Sequence, residues 1–351
     1  MLNNLKWTRR WIAIAVAVGL WCIAEARAGK PAKPPASGTS YRIVKLAAED
    51  ESGTWDCYAR DINGLRDVVG YVEDAATGQR RAACWEVSGS GDAIQSQLIL
   101  LTGGSDARGV NDCGEIVGYG TGGNGQTVGL YWATAAAAPL TLPPLSEDAR
   151  SYALAINNQG VVCGQSVGAT AQAVAWRVNW AGGQPSVSPP LPLPTLDEAS
   201  SALAIGNDDA DGVAQVVGRF AAASGQSTAA VAWTVASLPD GTVAVDPLPW
   251  IVESGDAWAL GVNDGGTICG QAGWPTEARV WTEAASWTLH RAPGIELASA
   301  QGINPSGVIV GWGDTGQIAR EAVAWPSADG SMIQLNKYLG RKSPFVKLVE
   351  A

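Results

Sequence analysis

The chain has 351 residues, among them 43 glycines and 16 tryptophans, and only 16% of its residues are charged. This composition excludes long salt-bridged helices and coiled coils. A net charge of −10 argues against nucleic-acid binding through phosphate neutralisation. The one histidine, His290, excludes a metal site or proton relay built from several histidines.

Residues 1–28 have the pattern of an export signal. Lys6, Arg9 and Arg10 precede an apolar run from Trp11 to Ala24, and Ala26-Arg27-Ala28 fits a small-x-small cleavage site. The alternative, a retained membrane anchor, is disfavoured because the run is shorter than the roughly 20 residues that span a bilayer. We therefore expect an exported, periplasmic or extracellular protein with no membrane span after cleavage.

A solvated linker is predicted at residues 29–40 (GKPAKPPASGTS), which contain three prolines and no apolar run. The remaining residues, 41–351, form one repeat domain in this interpretation.

Six similar units follow one another in this domain. Each unit contains three apolar runs. The first run begins with alanine, has Ile or Val three residues later and leads, in most copies, into a turn that contains Asn. The second run ends with glycine and the third with tryptophan. The alanines are Ala59, Ala107, Ala153, Ala202, Ala259 and Ala300; the glycines are Gly70, Gly118, Gly164, Gly218, Gly270 and Gly311; the tryptophans are Trp85, Trp132, Trp176, Trp233, Trp281 and Trp325. Six copies in one register are a strong repeat signal.

Four short strands are predicted in each unit. The Asn-x-x-Gly step between the first two runs is turn chemistry, and a fourth apolar run follows each tryptophan. A period near 47 residues matches the blades of a β-propeller, which run about 40 to 50 residues, better than the shorter coils of a solenoid. We therefore predict an all-β propeller of four-stranded blades, with the alanine strand innermost and the tryptophans between blades.

Six blades are favoured by the six units. Tyr41–Leu46 is a further strand that is a candidate to complete the last blade and close the ring. Residues 343–351 (SPFVKLVEA) resemble the start of another unit, so a seven-bladed ring with one incomplete blade is the alternative.

The units resemble the HAF-type extracellular repeat family of bacteria, whose pattern is A-x-x-I-N-x-x-G-x-V-V-G followed by A-F-x-W. Segments such as YALAINNQGVVCG with AVAW carry this resemblance, which spans residues 41–351. The chain departs from this pattern at two positions. Alanine, cysteine, tyrosine or valine stands where phenylalanine is usual, and Arg66 or an insertion stands where the turn glycine is usual. The resemblance implies an exported propeller-like protein and supplies no catalytic residue.

Tryptophans outside the repeated position are candidates for a ligand site. Trp258, Trp274 and Trp312 fall in or beside connections that share one rim of a propeller, and Glu253 and Asp256 precede the fifth alanine. These five residues form a predicted ligand-binding rim, with packing or scattered surface positions as the alternative. Carboxylates stand before most opening alanines and predict a negative rim, with solubility as the simpler explanation: Asp50, Glu51, Asp106, Glu147, Asp148, Asp197, Glu198, Glu253, Asp256 and Glu296.

A calcium site is a second hypothesis. Asn207, Asp209, Asp211 and Gly212 reproduce the start of a D-x-D-x-D-G loop, but Gln215 stands where a closing carboxylate is needed. A metal-free turn is the alternative.

Five cysteines follow the predicted export signal. Cys163 and Cys269 replace valines of sister units and are predicted core residues, while Cys57 and Cys84 are candidates for a disulfide.

Known catalytic motifs are absent from the sequence, so a monomeric binding module for a small molecule, glycan or protein is the predicted function. The alternative is a carbohydrate-active propeller, hydrolase, lyase or lectin, that uses rim carboxylates and tryptophans.

Overall fold

The computed structural model describes residues 14–15, 44–46, 55–90, 93–195, 199–221, 228–238, 241–246, 250–316, 320–328 and 330–335. Nearly all of the predicted export signal, the linker at 29–40 and residues 343–351 lie outside these ranges, as do Asp50, Glu51, Asp197 and Glu198. In the described ranges no helix is long and apolar enough to cross a membrane.

Six antiparallel sheets follow one another along the chain, one for each repeat unit, and they form the blades of a β-propeller. Blade 1 contains β3 (Trp55–Ile62), β4 (Asp67–Asp74), β5 (Arg80–Ser88) and β6 (Gln95–Leu100); blade 2 contains β7 (Gly104–Val110), β8 (Ile116–Thr121), β9 (Thr127–Trp132) and β10 (Leu140–Leu142). Blade 3 contains β11 (Arg150–Ile156), β12 (Val161–Val167), β13 (Ala171–Ala181), β14 (Gln184–Val187) and β15 (Leu191–Pro192).

Blade 4 contains β16 (Ala199–Ile205), β17 (Val213–Ala221), β18 (Thr228–Ser237), β19 (Val243–Val245) and β20 (Trp250–Ser254). Blade 5 contains β21 (Trp258–Val262), β22 (Ile268–Ala272), β23 (Glu277–Trp281) and β24 (Ser286–Thr288); blade 6 contains β25 (Leu297–Ile303), β26 (Ile309–Asp314), β27 (Arg320–Trp325) and β28 (Ile333–Gln334). In blades 3 and 4 two short strands share the position of the fourth strand.

The turn between the first two strands of each blade is built by one side chain. In blade 3 the Asn157 side-chain oxygen accepts hydrogen bonds from the backbone N–H of Gln159 and Val161, and Gly160 takes a φ of +80°. Asn therefore closes this turn as the sequence predicts. Asp209 takes the same position in blade 4.

These turns also link neighbouring blades. The amide of Asn63 donates to the backbone oxygen of Asn111, and the amide of Asn111 donates to that of Asn157, both at 3.0 Å. Asn157 reaches Gly206, and Asn263 reaches Asn304 in the same way. In blades 1, 2, 3 and 5 the same asparagine thus shapes the hairpin and links it to the next blade.

The blades pack through the repeated tryptophans, all six of which are buried. Trp233 of blade 4, for example, lies in one hydrophobic cluster with Val161, Cys163 and Ala175 of blade 3. The opening alanines are fully buried except Ala59, which is partly exposed. Both sequence predictions, small residues on the inner strand and tryptophan between blades, are confirmed.

The first short strands differ from the prediction. β2 (Val44–Lys45) pairs with β1 (Ile14–Ala15) and not with the last blade, whose fourth strand is β28. Residues that directly follow β27 reach its edge through a short connection, so a distant segment is not needed there. Leu46 instead packs beside Trp85 on blade 1.

All five cysteines that follow the predicted export signal are free thiols. Cys163 and Cys269 are fully buried, which confirms their predicted core position. The Cys57–Cys84 disulfide prediction is wrong in this structure, because β4 lies between the strands that carry the two cysteines. Two strand spacings of about 4.8 Å exceed the Cα separation of about 7 Å at most that a disulfide allows.

Candidate functional site

Two of the predicted rim tryptophans have an occupied ring face. The Arg219 guanidinium lies 3.9 Å from the ring centroid of Trp258, and that of Arg320 lies 4.0 Å from that of Trp312. Trp312 is also buried. These cation–π contacts stabilise the rim and cover one face of each ring.

The other predicted rim residues differ in their surroundings. Trp274 is 86% exposed in the turn between β22 and β23. Asp256 accepts a hydrogen bond from the backbone of Thr228, whose hydroxyl accepts one from the Trp258 indole. The structure therefore joins Asp256 and Trp258 through Thr228.

Glu253 has a structural role. Its carboxylate accepts hydrogen bonds from the Trp281 indole at 2.6 Å and from Arg279 at 3.1 Å. In blades 2, 3, 4 and 6 the repeated tryptophan donates to a backbone carbonyl instead. Glu253 replaces that carbonyl in blade 5, and its strand β20 belongs to blade 4.

The predicted calcium residues lie in a hydrogen-bonded turn. The Asp209 carboxylate accepts the backbone N–H of Asp211 and Val213, as Asn does in other blades. The Asn207 amide and backbone N–H both donate to Asp264. Among the residues that the structure describes, no group of three or more His, Cys, Asp or Glu side chains is placed to hold a metal ion. Calcium binding stays a prediction.

Two of the carboxylates before the opening alanines, Asp106 and Asp148, have partners close by. Asp106 is buried and lies within 3.7 Å of Arg60 and Arg108, and Asp148 accepts a hydrogen bond from Ser166 at 2.6 Å. A continuous negative rim does not follow from these positions.

A different site lies between blades 2 and 3, and we call it the Trp180 pocket. Its volume is about 390 Å³, and its lining includes Cys113 and Glu115 of blade 2 and Asn158, Gln159 and Trp180 of blade 3. This volume lies within the range of about 300 to 1,000 Å³ that is usual for small-molecule sites.

Trp180 reaches this pocket because β13 is long. The strand continues past Trp176 to Ala181 and turns into β14 through Gly182 and Gly183, whose φ angles are +58° and +77°. Two adjacent residues with positive φ form the tight turn that suits a β-hairpin. The hairpin carries Trp180 beside blade 2 with 53% of the residue exposed.

A buried carboxylate fixes the orientation of the indole. The Trp180 indole N–H donates to Glu115 Oε1 at 2.8 Å, and the Tyr131 hydroxyl donates to the same oxygen at 2.6 Å. The amide of Asn111 donates to Glu115 Oε2 at 2.6 Å. Three donors compensate a buried charge that would otherwise be costly.

Tyr131 is held in its protonated, donating form. Burial raises the pKa of its hydroxyl far above 10, and the hydrogen bond to Glu115 raises it further. Tyr131 therefore stays a hydrogen-bond donor over the neutral pH range.

The arrangement suits recognition of a small polar ligand. The Trp180 ring has its edge anchored and much of its surface open. The Asn158 amide already donates to and accepts from Asp112, and the Gln159 oxygen accepts from the Asp208 backbone, so the lining offers a ligand the amide N–H groups of Gln159. Trp180 stands outside the repeated tryptophan position and is not among the three tryptophans predicted for a site. The sequence feature that indicates its special position is the pair Gly182-Gly183, which predicts a tight turn two residues after Trp180.

No family model matches the chain, and a search of curated proteins found no match. Membership of the HAF-type family therefore stays a prediction. The chain is similar to a solved structure of an AofleA mutant from Arthrobotrys oligospora with three arginines replaced by alanine. The two are 11% identical over 79% of this chain and 86% of that chain, with a TM-score of 0.38.

Proposed function

We propose that this protein is a binding module that takes a neutral, hydroxyl-rich ligand, of the glycan class, in the Trp180 pocket. The observation that carries the proposal is the half-exposed Trp180 indole, whose N–H is fixed by a buried carboxylate at the mouth of a cavity.

The chemistry of a sugar matches this lining. The C–H face of a pyranose ring is apolar and packs on an indole, while its hydroxyl oxygens accept hydrogen bonds from an amide N–H such as that of Gln159. Anchoring of the indole before binding lowers the entropy cost of ordering the platform. The Glu115 carboxylate already accepts three hydrogen bonds from the protein, so its role is to hold the platform and the ligand is bound by other groups.

The test is a screen of neutral glycans followed by titration calorimetry of the strongest binder. We expect Trp180→Ala to weaken binding at least about tenfold, which corresponds to about 1.4 kcal/mol. Trp274→Ala is the matched control, because Trp274 is exposed but lies outside the pocket. Equal affinities of the two variants would contradict the proposal.

A second variant tests the anchoring. Glu115→Gln keeps the shape of the side chain but removes the charge that strengthens its three hydrogen bonds. We expect weaker binding with an intact Trp180. A reducing-sugar assay on the same ligand separates binding from the alternative of a carbohydrate-active enzyme.

A further inference from the structure

One side of blade 6, which we call the blade 6 face, is less covered than the same side of the other blades. At each of the five junctions from blade 1 to blade 6, the residue before the repeated glycine clusters with the alanine and the tryptophan of the next blade. These residues are all 0% exposed: Val69, Val117, Cys163, Val217 and Cys269. The corresponding residue of blade 6, Val310, is partly exposed.

The inner strand of blade 6 also lacks a neighbour on this side. A Cβ added to Gly109 would lie 3.0 Å from the Ala155 Cα of the next blade, and one on Gly261 would lie 3.1 Å from the Gly302 Cα. A Cβ added to Gly302 would meet only Val310 of blade 6 itself, at 3.8 Å. In the part of the chain that the structure describes, each inner strand from β7 to β25 packs on the blade before it, but β3 does not pack in this way on blade 6.

The turns of blade 6 and blade 1 are not linked as the other turns are. The Asn304 side chain accepts the backbone N–H of Val308, but its amide has no hydrogen-bond partner among the described residues. At four other junctions the second turn residue donates its backbone N–H to the side chain of its counterpart: Gly64 to Asp112, Asp112 to Asn158, Asn158 to Asn207 and Asn207 to Asp264.

This second link cannot form between blade 6 and blade 1. The second turn residue of blade 6 is Pro305, which has no N–H, and that of blade 1 is Gly64, which has no side-chain oxygen. In addition, Leu46 already packs beside Trp85, the tryptophan that would otherwise lie at this junction. Blade 1 is therefore a poor partner for the blade 6 face.

The sequence after blade 6 has the spacing of a further inner strand. From the second unit onward, each opening alanine stands 19 to 26 residues after the preceding tryptophan, and Ala351 stands 26 residues after Trp325. Eight residues separate β28 from residue 343, as eight separate β24 from β25. Residues 343–351, which lie outside the described residues, thus have the sequence position of the strand that covers the preceding blade at the other junctions.

We propose that the blade 6 face is an interaction surface for residues 343–351 of the same chain. Val349 and Ala351 are two residues apart, so in an extended strand they share one side, and that side packs on Val310. A segment joined directly to blade 6 has a high effective concentration, which favours it over a second copy of the chain.

Thiol labelling of the full chain tests this surface. Val310→Cys places a thiol on the blade 6 face, and the substitution suits the position because blades 3 and 5 have cysteine there. Mass spectrometry of the labelled peptides compares position 310 with the exposed Cys113 in the same sample. We expect position 310 to be modified at least tenfold more slowly than Cys113, because a covered thiol is inaccessible to the reagent.

A second substitution removes the proposed cover. Val349→Gln, added to Val310→Cys, is expected to speed modification at position 310 at least tenfold. Leu348→Gln is the matched control, because adjacent residues of a strand point to opposite faces, and it should leave the rate unchanged.

Three results would overturn the proposal. Modification at position 310 as fast as at Cys113, before residue 349 is changed, would show that nothing covers the blade 6 face. Equal effects of Val349→Gln and Leu348→Gln would show that the segment does not pack through the Val349 side. Slow modification that Val349→Gln does not relieve would assign the cover to another surface, and a rate that rises on dilution would identify that surface as a second copy of the chain.

Discussion

The glycine that ends the second apolar run is required by a backbone contact, and Gly118→Ala tests this. In β7 the register with β8 shifts between Ala107 and Gly109, which is a β-bulge. The backbone oxygen of Asp106 then lies close to Gly118: an added Cβ would be 2.2 Å from that oxygen and 2.8 Å from the Ala107 Cα.

The cost of this substitution follows from the contact. A Cβ cannot approach an oxygen to within 3.0 Å, so the backbone must shift by about 1 Å in a strand that is buried on both faces. Overpacking in a core costs about 1 to 3 kcal/mol. We expect a value near the upper end, about 3 kcal/mol, because the obstructing atoms belong to the backbone and cannot change rotamer.

The control is Gly123→Ala in the same blade, where no atom lies within 4 Å of an added Cβ. Its effect should stay within about 0.5 kcal/mol. Urea denaturation followed by tryptophan fluorescence gives both free energies of unfolding. Equal stabilities of the two variants would refute the steric explanation. The same explanation would then fail at the five sister glycines, where an added Cβ would lie 1.9 to 2.0 Å from a backbone oxygen: Gly70, Gly164, Gly218, Gly270 and Gly311.

Two further predictions concern titratable groups. Burial raises the pKa of the Cys84 and Cys163 thiols to about 12, whereas Cys113 is exposed. In a protein that begins at residue 29, a thiol reagent should therefore modify Cys113 quickly and the other cysteines slowly. Cys113→Ser should abolish the fast phase of thiol modification, and a fast phase that persists would contradict the burial of the other cysteines. A ligand bound in the Trp180 pocket should slow the modification of Cys113. Burial raises the pKa of Asp61 from 3.8 to about 6, although the backbone N–H groups of Val110 and Ile62 donate to it. The folded state then binds this proton more tightly than the unfolded state, so Asp61 makes stability fall as the pH rises from about 4 to about 6. Melting temperatures of the wild type and Asp61→Asn over this pH range should differ in slope, and parallel curves would show that Asp61 titrates normally.

The repeat was predictable from the sequence because each of its residues has one dominant constraint. The turn needs Asn, the bulge needs glycine and the space between blades needs tryptophan. In blade 3 these residues are Asn157, Gly164 and Trp176, and the same residue types stand at similar spacing in most other units. The pairing of β2 was not predictable, because an apolar run shows that a strand forms but not which edge it joins.

The candidate site was less predictable, because it depends on contacts between units. The sequence shows that Trp258 and Trp312 are outside the repeated position, but not that Arg219 and Arg320 lie on their rings. Likewise, nothing in the order of residues places Trp180 next to Glu115, which stands 65 positions earlier. Only the packing of blade 3 against blade 2 joins them.

The Trp180 pocket depends on two departures from the repeat that compensate each other. Glu115 follows the turn of blade 2, where blades 3 and 4 have Val161 and Val213. A carboxylate buried there is destabilising unless donors surround it. Trp180 supplies one of these donors from the hairpin of β13 and β14. The indole N–H adds a third donor to the buried carboxylate, and the carboxylate fixes the orientation of the indole, so the result is an open aromatic face at a fixed angle.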